Sequence, residues 1–249
     1  MTAAALRFEN VTLGYDGHPA VHHLTGMFRP GALVAVCGPN GSGKSTLLKG
    51  IVGLIQPFDG AIHLEGCRHR DIAYLPQQAD IDRGFPATVI DLLTLGLIER
   101  RGLFGAIGKA DETQMRQALD TVGLAGFEMR PVETLSGGQL QRVLFARVLL
   151  QDARVILLDE PFNAIDSKTV GDLVALIHRW HGERRIVIAV LHDMTLIREQ
   201  FPETLLLARE AIAWGDTAST LVPDNILKAR RMTEAWDDDA PWCADVKVA

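Results

Sequence analysis

No stretch of this 249-residue chain approaches the roughly 20 consecutive apolar residues that a membrane-spanning helix needs. The opening, Met1 to Asn10, has no basic segment followed by an apolar run, which predicts no secretory signal. Excess positive charge is missing too: 25 Lys and Arg against 31 Asp and Glu leave a net charge of −6, which argues against a polyanion such as nucleic acid as partner. Cysteine is scarce. Cys37, Cys67 and Cys243 make neither a disulfide framework nor a metal-ligand spacing, and Cys37, inside an apolar run, reads as a small buried hydrophobe. Internal repeats and low-complexity tracts are also lacking. With 47% hydrophobic and 22% charged residues, the chain reads as a cytosolic globular protein. It is long enough for one substantial core with a subdomain attached.

Short apolar runs recur among helical patterns, as an α/β protein requires. Leu33 to Cys37, Ile72 to Leu75, Val155 to Leu158, Ile186 to Leu191 and Thr204 to Ala208 read as core strands. Leu47, Leu48, Ile51, Val52 and Ile55 have helical spacing. Asp166 reads as the N-cap of a helix that runs to about His181 and stops at Gly182. The first thirty residues and Gly60 to Gly66 alternate apolar with polar residues between turns, which predicts a small antiparallel sheet. Thr88 to Val122 holds two helical patterns around a glycine-rich connection, Gly102 to Gly108, and reads as a helical insertion. After Pro223 a short helix precedes Asp237-Asp238-Asp239 and a mixed tail.

Three motifs carry chemistry. Gly38-Pro39-Asn40-Gly41-Ser42-Gly43-Lys44-Ser45-Thr46 matches G-x-x-x-x-G-K-[ST] after a strand and before a helix. Its glycines let backbone N–H groups wrap a polyphosphate, and the helix adds the positive end of its dipole. Lys44 is expected to bridge the β- and γ-phosphates, Ser45 to hold Mg²⁺, and Thr46 to meet a phosphate oxygen. Val155 to Leu158 buries a strand from which Asp159 and Glu160 emerge at the carboxyl end, where ligands of open α/β sheets sit. Asp159 would order Mg²⁺ and Glu160 polarise an attacking water; alone, the pair would read as two solvated acids. Leu135-Ser136-Gly137-Gly138-Gln139 precedes a strong helix, so its polar, glycine-rich start is either another anion site or an ordinary N-cap.

In that order, with a histidine after the next strand, these motifs resemble those of ABC-type ATPases: Walker A, the LSGGQ signature, and Walker B with its glutamate. The resemblance covers about Leu6 to Arg230. It implies an ATP-hydrolysing, nucleotide-binding domain over residues 1–225 and a short tail over 226–249. The domain would have a P-loop RecA-like core, an antiparallel β-subdomain and an inserted α-helical subdomain at about 86–150. It further implies a homodimer in which two chains pair head to tail. Each ATP then lies between one chain's Walker A and the other's signature, with Ser136 and Gly138 on the partner's γ-phosphate. By the same resemblance Tyr15 stacks on adenine, Gln77 is the Q-loop glutamine that touches Mg²⁺, Asp166 couples the two sites, and His192 is the switch histidine. Gln78 competes for the Q-loop role; spacing from the strand favours Gln77.

Lacking a membrane span, such a chain would act on separate integral-membrane permease subunits from the cytoplasmic face of the inner (plasma) membrane. Phe85-Pro86-Ala87-Thr88-Val89-Ile90-Asp91 resembles an F-P-x-T-V-x-D element of zinc and manganese importer ATPases. It equally suits a generic helix start with Thr88 as N-cap and Asp91 at the third helical position. The resemblance implies import of a divalent metal, zinc ahead of manganese or iron, delivered by a periplasmic or extracellular metal-binding protein. The alternatives are an ATPase for another small substrate, such as an iron chelate, or a non-transport ABC ATPase such as an iron–sulfur assembly scaffold. His18, His22, His23, His63 and His69 lack a tight ligand spacing and read as ordinary strand or surface residues. Transported metal is expected to bypass this chain.

Overall fold

A computed structural model describes residues 3–78, 84, 86–102, 105–163 and 165–234. In chain order these form β1 (Ala5–Tyr15), β2 (His18–Phe28), β3 (Leu33–Cys37), α1 (Lys44–Val52), β4 (Asp59–Glu65) and β5 (Ile72–Leu75). Then come α2 (Val89–Thr94), α3 (Ile98–Arg101), α4 (Lys109–Thr121), α5 (Gly137–Gln151), β6 (Val155–Asp159) and α6 (Ser167–Gly182). The last elements are β7 (Ile186–Val190), α7 (Met194–Gln200), β8 (Glu203–Ala208), β9 (Glu210–Asp216), α8 (Thr217–Thr220) and α9 (Pro223–Glu234). Cys243, the acidic run at Asp237 and Phe85 lie outside the described residues.

The chain divides into two compact units. One takes Pro30–Ala32 and Gly66–Ala189; the other takes Ala5–Arg29, Leu33–Glu65 and the segment from Val190 onward. In the first, β5 and β6 run parallel with Ile72 opposite Val155 and Leu75 opposite Leu158. Every residue of β6 and β7 is buried, as strands covered on both faces require. Each large aliphatic so enclosed contributes about 1.5–3 kcal/mol. The helical segment α2–α5 belongs to this unit. It is tied down at its start: Val132 N–H donates to Ala87 O at 2.9 Å and Val89 N–H to Arg130 O at 3.0 Å.

Thr88 caps α2 as the sequence suggests. Its hydroxyl donates to Asp91 Oδ2 at 2.6 Å and accepts from Asp91 N–H at 3.4 Å, while its own N–H donates to Asp91 Oδ2 at 2.9 Å. The side-chain bond from Thr88, then the backbone one, holds the Asp91 carboxyl below its usual value. A group lowered on folding stabilises above its unfolded pKa and loses that contribution as pH falls through the folded value. Thr88→Ala is therefore expected to cost about 1 kcal/mol at neutral pH. Its deficit against the unaltered chain should shrink on acidification, as urea unfolding at pH 7 and pH 3 would show.

In the second unit β2-β1-β4 form the antiparallel sheet that the alternating pattern predicts. Asp16 and Gly17, both at positive φ (45° and 85°), make the tight turn that joins β1 to β2. Phe8 and Phe28 meet edge-on at 5.5 Å between centroids, and Trp214 of β9 lies 4.7 Å from Phe28. Such pairs add about 0.5–1.5 kcal/mol to their burial. β3 and β8 run parallel, and β8 turns through Arg209, at φ 62°, into the antiparallel β9.

β9 and α7 are absent from the strands and helices read in the sequence. One helix end also differs. α1 stops at Val52 because Gly53 takes φ 87° and its N–H closes on Gly50 O and Lys49 O, leaving Ile55 outside. α6 stops at Gly182 as the sequence predicts, with the left-handed position at Arg184, φ 61°.

Candidate nucleotide site

Cys37 ends β3, and Gly38 leaves it at φ 149° so close to β8 that a Cβ would sit 1.9 Å from Leu207 O. No other residue fits there without moving backbone. Gly43, at φ 91°, is equally confined: a Cβ would lie 2.3 Å from Ala20 O of β2. Arg209 N–H donates to Ser42 O at 3.0 Å, so the loop from 38 to 43 is pinned to β2 and to the end of β8. Ser42 is fully buried. Lys44 starts α1 with 6% exposure, and its ammonium donates to Gly38 O at 3.1 Å and Pro39 O at 2.7 Å, with Ser42 Oγ at 3.4 Å. The loop therefore curls around the cation at the positive end of a helix, a setting that favours polyanions. Asn40 and Gly41 are at its outer rim, while Ser45 and Thr46 follow in the first turn of α1. Burial pushes the neighbouring Cys37 thiol up to about 12, which keeps it protonated and inert.

Two other sequence-predicted residues belong to the same unit. Leu191 N–H donates to Val36 O at 3.1 Å, which brings the chain at His192 alongside the end of β3 where the loop begins. His192 is exposed, and Asp193 beyond it caps α7 by accepting from Thr195 and Leu196 N–H. Tyr15, 48% exposed, pairs with His18 at the hairpin turn, two residues from the Ala20 carbonyl that Gly43 faces.

In the other unit Asp159 ends β6 fully buried, with Tyr74 Oη 3.4 Å from its Oδ2. Glu160 follows at φ 49°, a left-handed conformation that costs a non-glycine residue about 1–3 kcal/mol and is kept where structure over-determines it. Its carboxylate is held on both oxygens: Gln77 Nε2 donates to Oε1 at 2.9 Å, and Asn163 Nδ2 donates to Oε2. Asn163 is a residue that sequence reasoning missed. Its only local signal is an amide three residues after the acid.

Gln77 and Gln78 have different partners. Gln78 Nε2 donates to Gly137 O at 2.6 Å and to Gln141 Oε1 at 2.9 Å, at the start of α5. In the signature, Leu135 is buried and Ser136 is the N-cap of α5. Ser136 Oγ accepts from Gln139 N–H at 3.2 Å, and Gln139 Oε1 accepts from Ser136 N–H at 3.0 Å. This reciprocal box fixes the first turn, in which Gly137 and Gly138 lie half-buried. Asp166 caps α6 through Thr169 N–H at 3.0 Å and Thr169 Oγ1 at 2.8 Å. Those bonds hold its carboxyl below the usual range, so it is an anion at neutral pH. Among the described residues no group of three or more His, Cys, Asp and Glu is placed to hold a metal ion. No helix among them is long and apolar enough to cross a membrane.

Residues 21–163 match the sequence profile of the family described as ABC transporter. The chain is 35% identical over 232 residues to the zinc transport system ATP-binding protein TroB of Treponema pallidum, covering 92% of this chain and 87% of that protein. It is 35% identical over 225 residues to the manganese transport system ATP-binding protein MntB of Listeria monocytogenes, covering 89% and 94%. Its fold superimposes with a TM-score of 0.79, at 28% identity, on a chain from an ABC transporter described as of metal-chelate type in an inward-facing conformation, covering 92% of this chain and 89% of that one. The motifs, the pinned glycine-rich loop and these likenesses agree: the chain belongs to the ABC transporter family, as one of its α/β ATP-binding cassettes, an ATPase.

Proposed function

We propose that this chain is the ATP-hydrolysing subunit that energises import of a divalent metal ion through separate integral-membrane permease subunits. Zinc is favoured, then manganese or iron. The observation that carries the reading is likeness over 92% and 89% of the chain to zinc and manganese transport ATP-binding proteins. Two copies pair head to tail, the signature of each completing the other's nucleotide site. The dimer works peripherally at the cytoplasmic face of the plasma membrane, and a binding protein outside the cell supplies the metal.

In this reading Gly38 to Thr46 cradle the phosphates of ATP, Lys44 bridges the β- and γ-phosphates, and Tyr15 stacks on adenine. Ser45, Asp159 and Gln77 offer a hydroxyl, a carboxylate and an amide, the oxygen donors that suit Mg²⁺. When bound, Mg²⁺ neutralises phosphate charge. Glu160 accepts a proton from the attacking water, and His192 contacts the γ-phosphate and that water. Ser136 and Gly138 meet the partner's γ-phosphate, and Asp166 couples the two sites.

The test is cellular zinc, manganese and iron content under chelator stress, with unaltered or Glu160→Gln protein. A selective fall in one metal with the variant is expected and names the cargo. Unchanged metals, with the variant expressed and loaded with ATP, would transfer the assignment to another substrate or to a non-transport ATPase.

A further inference from the structure

Gln141 lies on α5, one turn beyond Gly137, and its amide is fully buried. Both ends of the amide are used. Oε1 accepts from Gln78 Nε2 at 2.9 Å, and Nε2 donates to Pro161 O at 3.0 Å. Gln78 Nε2 also donates to Gly137 O at 2.6 Å, while its neighbour Gln77 holds the Glu160 carboxylate at 2.9 Å. Three segments distant in sequence thus close into one circuit: the start of α5, the pair after β5, and the Glu160-Pro161 step after β6. A buried amide that loses a partner bears the full desolvation cost. Hydrogen bonds also weaken steeply with misalignment. The first turn of α5 and the backbone beside Glu160 therefore cannot shift independently of one another.

We infer that Gln141 and Gln78 are positioning residues for ATP hydrolysis, a side-chain bridge through which the placement of the signature's first turn sets the placement of the Glu160 carboxylate. The inference rests on the proposed roles of Glu160 as base and of the signature as the partner's phosphate contact. The signature then has a second role, acting on this chain's own base as well as on the nucleotide held by its partner. The route uses side-chain amides and runs separately from Asp166, whose carboxylate is engaged with Thr169 at the start of α6.

The experiment is steady-state ATP hydrolysis by full-length Gln141→Met and Gln78→Met proteins, alone and combined with Glu160→Gln. Methionine keeps the length of glutamine and removes both hydrogen-bonding ends. Misplacing a reacting group by about 1 Å costs up to about 100-fold. A kcat loss of about 10- to 100-fold is therefore expected for each variant, with KM for ATP within about threefold. In the Glu160→Gln background neither substitution should lower the residual rate further, because the group they position is gone. Unaltered kcat in a folded Gln141→Met protein, or losses that multiply with that of Glu160→Gln, would overturn the bridge. Should Gln141→Met misfold, Gln78→Met at a half-buried position decides by the same two readouts. Wild-type turnover in Glu160→Gln alone would instead remove the base assignment itself; its loss there with none in Gln141→Met removes only the bridge.

Discussion

Glu160→Gln is expected to lower steady-state ATP hydrolysis by about 10²–10⁴-fold while leaving ATP binding intact. The substitution keeps the shape of the side chain and the left-handed backbone at φ 49°. It removes the basic oxygen that would take the proton of the attacking water. Its surroundings sharpen the effect, since Gln77 and Asn163 both donate an N–H to the carboxylate. An amide at position 160 turns an NH₂ toward one of those donors, so one of the two bonds must break. A factor of 10³ corresponds to about 4 kcal/mol of barrier. Phosphate release and size-exclusion chromatography with ATP check this together: turnover should fall and an ATP-bound dimer should accumulate. Steady-state hydrolysis within about threefold of the unaltered protein would falsify the general-base assignment.

Lys44→Ala should act one step earlier, on binding. The ammonium is nearly enclosed and donates to the carbonyls of Gly38 and Pro39, so it organises the loop as well as offering charge to a polyphosphate. Hydrogen bonds to charged groups are worth about 1.5–3 kcal/mol, which is about 10- to 100-fold in affinity. The loss should appear for ATP and be far smaller for AMP, which lacks the phosphates assigned to Lys44. Titration calorimetry with both nucleotides decides it. Equal weakening of both would mean that the substitution merely loosens the loop against Ala20 and Leu207. Unchanged ATP affinity would sink the phosphate role altogether. Arginine is not expected to rescue, because its planar fork does not fit an enclosure shaped to a compact ammonium.

Much of the site was legible in the sequence because its motifs are short and local. A loop that wraps phosphate needs glycines, a lysine and a hydroxyl at fixed spacing, and Gly38 to Ser45 supply them whatever the rest of the chain does. The signature and the caps of α2 and α6 are likewise decided within four residues: Ser136 with Gln139, Thr88 with Asp91, and Asp166 with Thr169. The apolar runs of β3, β5, β6, β7 and β8 were also readable, since strands buried on both faces show as uninterrupted hydrophobics. β9 was missed for the converse reason. It is a half-covered strand of mixed residues, Glu210–Asp216, whose position depends on pairing with β8 and on Trp214 reaching Phe28.

The sequence by itself therefore determined the family: a glycine-rich loop with its lysine, two acids after a buried strand, and a glycine-rich helix start stand in the order of an ABC ATPase. Tertiary structure decided how the acids are held. Spacing could rank Gln77 above Gln78, yet their separate partners depend on contacts across 83 residues to Glu160 and 59 residues to Gly137. Asn163 on Glu160, the left-handed turn at that residue and the buried amide of Gln141 belong to the same class. Local motifs are selected by the backbone geometry of a few neighbouring residues, so they survive in one dimension. Hydrogen bonds between distant segments are fixed only when packing brings strands and helices together, and no spacing rule along the chain records them.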